Sequence, residues 1–111
     1  MKNKLIENIE IYADGADINF IKDINFNFSG YTTNPTLMKN SGIKDYKKFV
    51  IDFLEISENK PVSFEVFADD INEIKSQAKI ISSWSPNIYV KIPITNTLGE
   101  STTDLVFDLI E

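Results

Sequence analysis

Residues 87–95 read Asn87-Ile88-Tyr89-Val90-Lys91-Ile92-Pro93-Ile94-Thr95. This β-branched run carries one lysine at its centre and a proline two residues later. In an extended strand Ile88, Val90 and Ile92 share one face, and Tyr89, Lys91 and Pro93 share the other. A lysine centred in so apolar a strand is expected to be desolvated. Desolvation disfavours the ammonium form and frees the amine as a nucleophile. An amine in that state can attack a ketone and form a Schiff base. The alternative is a lysine pointing into water from a half-buried strand, and the stretch alone leaves both open.

Composition narrows the chemistry around that lysine. At 111 residues the chain has room for one domain and a modest core. It carries a formal net charge of -6, and all its basic residues are lysines, a balance that argues against nucleic acid as a partner. Without cysteine there is no disulfide framework, thiol nucleophile or thiolate metal site. Without histidine, acid–base work falls to carboxylates, lysine, tyrosine or a bound water, and zinc-type sites lose their usual ligands. No apolar run is long enough to span a bilayer and no secretory signal is visible. The expectation is a soluble cytoplasmic protein, in which the sequon Asn27-Phe28-Ser29 carries no meaning.

Working outward from the lysine strand, Ile9 to Asp14 alternates apolar and polar and reads as a first strand. Asp17 is placed to cap a short helix through about Asn25, with Ile18, Ile21 and Ile24 inward. Gly30 to Asn34 is the second strand, stopped by Pro35. Thr36 to Asn40 has room for one helical turn, and Ser41-Gly42 breaks it. A long helix follows from about Ile43 to Ser57, with Ile43, Tyr46, Phe49, Val50, Phe53 and Leu54 on its apolar stripe. Pro61 to Phe67 is the third strand. Asp69 is placed to cap the next helix, which runs from Asp70 to about Ser83 with Ile71, Ile74, Ala78 and Ile81 inward. After the lysine strand come the loop Asn96–Glu100 and a last helix capped by Ser101 or Thr102, with Leu105, Val106, Leu109 and Ile110 as its apolar stripe.

The order β-α-β-α-β-α-β-α implies parallel strands with right-handed helical crossovers. It fits a small open sheet or half of a (β/α)8 barrel, and no phosphate loop or dinucleotide glycine motif favours a nucleotide-binding sheet. On one strand face the alternation collects Ile9, Ile11, Ala13, Tyr31, Val62, Phe64, Val66, Ile88, Val90 and Ile92, the side expected to carry the helices. The other face collects Glu10, Tyr12, Asp14, Thr32, Asn34, Ser63, Glu65, Phe67, Tyr89 and Lys91. Parallel sheets are normally apolar on both faces, so a polar second face points to a wet concave surface or a functional lumen. Asp14, Asn34, Glu65 and Lys91 fall near the carboxyl ends of the strands, where α/β proteins place their sites. Taken singly, Asp14 also suits a helix cap, Asn34 a turn before proline and Glu65 a solvated strand position. Taken together, a lysine with two carboxylates makes chemical sense: one moves protons through a water, the other positions the amine or the carbinolamine.

These motifs resemble the transaldolase family, including its fructose-6-phosphate aldolase-like branch. The resemblance rests on Tyr12-Ala13-Asp14-Gly15-Ala16, Gly30-Tyr31-Thr32-Thr33-Asn34-Pro35-Thr36-Leu37, Ser63-Phe64-Glu65-Val66 and Val90-Lys91-Ile92-Pro93-Ile94-Thr95. It implies a (β/α)8 barrel and Schiff-base chemistry on a sugar phosphate, with no cofactor and no metal. By resemblance Lys91 attacks the ketose carbonyl and holds a dihydroxyacetone unit as an enamine for transfer to an aldose. Asp14 handles protons at the cleaved bond, and Glu65 with a water serves dehydration and hydration of the carbinolamine. Asn34 binds substrate hydroxyls, with Thr32 and Thr33 in the same motif. The aldolase branch usually has glutamine at the position of Glu65, so the glutamate tilts the reading toward transfer.

The match corresponds to the amino-terminal half of the family's barrel, a single (β/α)4 unit over residues 1–111. The chain contains no arginine, the residue with which the family holds the substrate phosphate. A half-barrel leaves its first and fourth strands as edges and Tyr12, Phe67 and Tyr89 uncovered. Two copies are therefore expected to associate as a homo-oligomer, a dimer that covers the open side. Two other readings are a half-barrel that has lost catalysis and serves as a binding or assembly module, and a fragment completed by a separate carboxyl-terminal half.

Overall fold

A computed structural model describes residues 9–24, 26–33, 36 and 45–110. Four strands alternate with four helices among them: β1 (Tyr12–Asp14), α1 (Ile18–Asp23), β2 (Gly30–Thr32), α2 (Tyr46–Ser57), β3 (Val62–Glu65), α3 (Ile71–Ser82), β4 (Ile88–Lys91) and α4 (Thr103–Ile110). The strand order β1-β2-β3-β4 follows the sequence, and the fold is an open parallel α/β sheet consistent with half of a (β/α)8 barrel. The chain divides into two compact units at the start of β3, Met1–Val62 and Ser63–Glu111.

In the first unit β1 pairs in parallel with β2, with Tyr12 opposite Gly30 and Asp14 opposite Thr32. Gly30 is required by close approach: a Cβ there would lie 2.5 Å from the Tyr12 ring and 2.6 Å from the Pro61 carbonyl oxygen. Asp17 caps α1 as expected, its carboxylate accepting from the Phe20 amide. No residue of α1 is buried, however, and Ile24 is exposed. The expected inward set Ile18, Ile21 and Ile24 therefore lies at the margin of the core. The helix has only six residues, too few to press a full apolar stripe onto anything. Asp45 caps α2, which buries Phe49, Val50, Phe53 and Ser57. Phe28, Tyr31, Phe53 and Phe49 form an edge-to-face series with ring centroids 5.5–5.9 Å apart, the favoured arrangement for aromatic quadrupoles. Burial, helped by the Glu58 carboxylate, pushes the Tyr31 hydroxyl above its ordinary pKa.

In the second unit Phe64 and Val66 are buried, as is Val62 at the end of the first, all on the face predicted to carry the helices. The amide of Val66 donates to the Lys91 carbonyl (3.2 Å). Helix α3 buries Ile74, Ala78 and Ile81 at the expected spacing. Its cap is Asp70, which accepts from the Glu73 amide, and not Asp69 as the sequence suggested. Either member of the Asp-Asp pair satisfies the local preference, and long-range bonding of Asp69 decides between them. Leu105 anchors α4. Val106 N donates to the Thr102 carbonyl, so Thr102 holds the cap position, and the Ser101 hydroxyl accepts from Thr103 N. Ile110 is 74% exposed, outside the core that the α4 pattern assigned to it.

The strands are shorter than the alternation implied. Ile9 is 57% exposed and precedes β1, because alternation continues in sequence where no ladder partner does. The end of the expected second strand at 34–35, the expected helical turn and helix start within 37–44, and Asn25 lie outside the described residues.

Candidate active site

The first unit brings two of the predicted residues together. Asp14 and Thr32 are register partners at the carboxyl ends of β1 and β2. The Thr32 hydroxyl donates to Asp14 Oδ1 at 2.6 Å, and the Gly15 amide donates to the Thr32 carbonyl at 3.0 Å. Asp14 is exposed, Thr32 half-buried and Thr33 fully buried. Asn34 lies outside the described residues.

The second unit brings together the other pair. In a parallel ladder the bond from Val66 N to the Lys91 carbonyl sets Glu65 beside Lys91. The same pattern, Gly15 N to the Thr32 carbonyl, accompanies the register Asp14 opposite Thr32. Glu65 and Lys91 thus stand on adjacent strands about 4.8 Å apart in backbone spacing, with side chains on the same face. Glu65 is half-buried. Lys91 is exposed, as are Tyr89 at 65% and Pro93. The desolvation expected around this lysine is absent. It stands at the last position of β4, where nothing in the strand covers its side chain. Of the two readings left open by the sequence, the solvent-facing lysine is the one observed. The backbone register thus sets a carboxylate-bearing residue and an amine-bearing residue side by side on one face, residue types able to exchange protons with a carbonyl adduct through a water.

A group that the sequence did not single out closes the end of β4. Asn96 is 9% exposed. Its Nδ2 donates to the Asp69 carbonyl (3.0 Å) and to Glu100 Oε1 (2.9 Å). Its Oδ1 accepts from the amides of Leu98 (3.1 Å) and Glu100 (2.9 Å). The Asp69 carboxylate accepts from the amide of Thr97 (2.9 Å) and from its hydroxyl (2.5 Å). Those bonds, the hydroxyl's first, hold Asp69 below its ordinary pKa. The sequence places a loop from Asn96 to Glu100, and Gly99 adopts φ +78° in it. The partner at Asp69, twenty-seven residues away from Asn96, left no signal in local sequence.

An open concavity of about 500 Å³ lies in the first unit, lined by Ile21, Lys22, Tyr31, Glu58 and Lys60 among others. It includes none of the predicted site residues. Among the described residues no helix is long and apolar enough to cross a membrane.

Comparison with known proteins agrees with these motifs. The profile of the family described as Transaldolase/Fructose-6-phosphate aldolase matches residues 11–108. A probable transaldolase of Dehalococcoides mccartyi is 42% identical over 89 residues, covering 78% of this chain and 41% of the relative. A probable transaldolase of Streptococcus agalactiae is 36% identical over 89 residues, covering 78% and 40%. Probable transaldolase 2 of Listeria monocytogenes is 32% identical with the same coverage. The chain spans about two fifths of the length of these relatives.

Proposed function

Since the chain belongs to the transaldolase/fructose-6-phosphate aldolase family, we propose that Lys91 is its Schiff-base residue, acting on a ketose phosphate. The pairing of Lys91 with Glu65 at adjacent strand ends is the observation that carries this reading. The neutral Lys91 amine adds to the ketose carbonyl to give a carbinolamine. Glu65, through a water, delivers the proton with which hydroxide departs as water, leaving an iminium. Asp14 takes the proton of the C4 hydroxyl as the C3–C4 bond breaks. The electron pair moves into the enamine and an aldehyde leaves. The enamine then attacks an acceptor aldose, and hydrolysis returns the lysine. Asn34, with Thr32 and Thr33, holds substrate hydroxyls, and the Thr32–Asp14 hydrogen bond supports a common place for two of these groups. No metal or cofactor is needed for the sequence of steps. Its substrates belong to the pentose phosphate pathway and the cytoplasm, where we place the protein.

The whole chain acts as one (β/α)4 half-barrel domain in this reading, and two copies form a dimer. The exposure of Tyr12, Phe67 and Tyr89, at 43%, 48% and 65%, supports association. A monomer in size-exclusion chromatography with light scattering would remove the dimer from the proposal.

The test of the chemistry is intact mass after incubation with fructose 6-phosphate or dihydroxyacetone and sodium borohydride. The expected result is a reduced adduct that disappears in Lys91→Ala. No adduct from folded protein overturns the Schiff-base reading. The exposure of Lys91 favours a second reading in that event, a half-barrel acting as a binding or assembly module.

A further inference from the structure

We infer that Asn96 is a positioning residue, the centre of a clasp that fixes the Lys91 end of β4 against the Glu65 end of β3. The inference rests on the Schiff-base reading for its chemistry and on the hydrogen bonds around residue 96 for its geometry.

The clasp is unusual in how completely it is satisfied. Asn96 uses both amide hydrogens and accepts twice at Oδ1. Its own backbone donates to the Glu100 carbonyl and accepts from Gly99 N, each at 3.0 Å. An asparagine side chain offers two donors and one acceptor oxygen with two lone pairs, so none of its capacity is left over. Burying such a group is stable only when every partner is present. A loop that needed only to turn would not need a buried amide.

Its position gives the clasp a purpose. From Pro93 onward the chain downstream of Lys91 is tied residue by residue. Thr102 Oγ1 donates to the Pro93 carbonyl (2.5 Å), Thr102 N donates to the Ile94 carbonyl (3.0 Å), and Thr95 bridges Ser101. Asn96 and Thr97 then reach across to Asp69, four residues beyond Glu65. Glu65 and Lys91 therefore lie just upstream of this tie, beside the ladder bond from Val66 to the Lys91 carbonyl. Sliding of one strand end past the other would require breaking the ladder bond and the clasp together. Proton delivery from Glu65 through a water to the carbinolamine on Lys91 needs the two residues held within about 0.5 Å of the productive geometry, and an exposed lysine at a strand end has no packing to supply that. The clasp supplies it through backbone.

The experiment uses the full chain and two readouts. Asn96→Ala and Thr97→Val each remove part of the clasp, and Thr97→Ser keeps the hydroxyl. Thr97 is exposed, so its variants leave the core intact. In amide hydrogen exchange, Val66 N is expected to exchange at least tenfold faster in Asn96→Ala and severalfold faster in Thr97→Val. Tyr31 N, which donates to the Pro61 carbonyl, should be unchanged. In borohydride trapping with dihydroxyacetone, the limiting rate should fall severalfold in Thr97→Val and recover in Thr97→Ser. The half-saturating concentration should stay within twofold. Unchanged Val66 exchange in both variants overturns the clasp. Faster Val66 exchange with an unaltered limiting rate overturns its positioning role. If the wild-type protein forms no adduct, the Schiff-base reading fails by itself, and Val66 exchange still decides whether the clasp locks the strand ends.

Discussion

The two units hold the carboxyl ends of their strands in different ways. In the first, an exposed hydroxyl–carboxylate bond joins Thr32 to Asp14, and rigidity comes from below, where rings of Tyr31, Phe53 and Phe49 interlock. In the second, the buried side chains of α3 and α4 are aliphatic, Ile74, Ala78, Ile81 and Leu105, and the strand ends are tied from above by Asn96 and Asp69. The difference separates two ways to fix a site. Aromatic packing fixes the sheet and lets the strand ends follow. Polar bonding fixes the strand ends directly, at the pair to which the amine belongs.

The largest effect expected from breaking this contrast is at Phe53. It is fully buried and meets two other rings, so Phe53→Ala should destabilise the protein by about 3–5 kcal/mol, measured by chemical denaturation. If the first unit is ring-locked, Ile11, Tyr31 and Ser29 amides should lose exchange protection first. A loss below about 1 kcal/mol would mean that the rings do not carry that unit.

Next comes Gly30→Ala. The added methyl would meet both the Tyr12 ring and the Pro61 carbonyl at under 3 Å. Backbone cannot yield as a side-chain tip does, so a destabilisation of about 1–3 kcal/mol is expected. A crystal structure of the variant with Tyr12 simply turned aside and unchanged stability would show that the contact is soft.

A smaller effect distinguishes the two neighbouring aspartates. Asp70→Ala removes the cap of α3 and should cost about 1 kcal/mol. Asp69→Ala should leave the helix intact and change instead the amide resonances of Thr97 and Leu98. Equal loss of α3 helicity in both variants would contradict the assignment of Asp70 as cap.

The smallest effect is a titration. Asp69 has its folded pKa below the ordinary 3.8. Its bonds therefore contribute above that ordinary value and are lost as pH falls through the lower folded value. The Thr97 amide shift in NMR should show an inflection below 3.8, absent in Asp69→Asn. An inflection above 3.8 would place the Thr97 bonds elsewhere.

Much of the fold was legible because it rests on local periodicity. The stripe Ile74, Ala78 and Ile81 in α3, the alternation Val62, Phe64 and Val66, and the cap at Asp17 follow from spacing that a helix or strand imposes within a few residues. The strands are shorter than the alternation implies, because Ile9 and Ile92 continue it beyond the paired residues of β1 and β4. Three isoleucines at helical spacing predict burial that α1 does not show, because spacing alone does not say how closely other elements pack on a six-residue helix. At the site, the carboxyl-end placement of Asp14, Thr32, Glu65 and Lys91 was legible from strand alternation, and the family motifs named the same residues. The exposure of Lys91 was one of two readings that the strand left open, since β-branched neighbours in sequence need not be its neighbours in space. The bond from Asn96 to Asp69 was also hidden, because it joins two loops whose meeting depends on the pairing of β3 with β4.

The saturation of Asn96 also bears on how the protein ages. Asparagine side chains decay when the following backbone nitrogen attacks the side-chain carbonyl and ammonia is expelled. Here that nitrogen belongs to Thr97, and its hydrogen is committed to Asp69. The side-chain amide cannot rotate toward it without breaking bonds to Asp69, Leu98 and Glu100. The same bonds that hold the turn in place thus guard its key amide against slow deamidation, so this loop should outlast the exposed asparagines of the chain in stored protein.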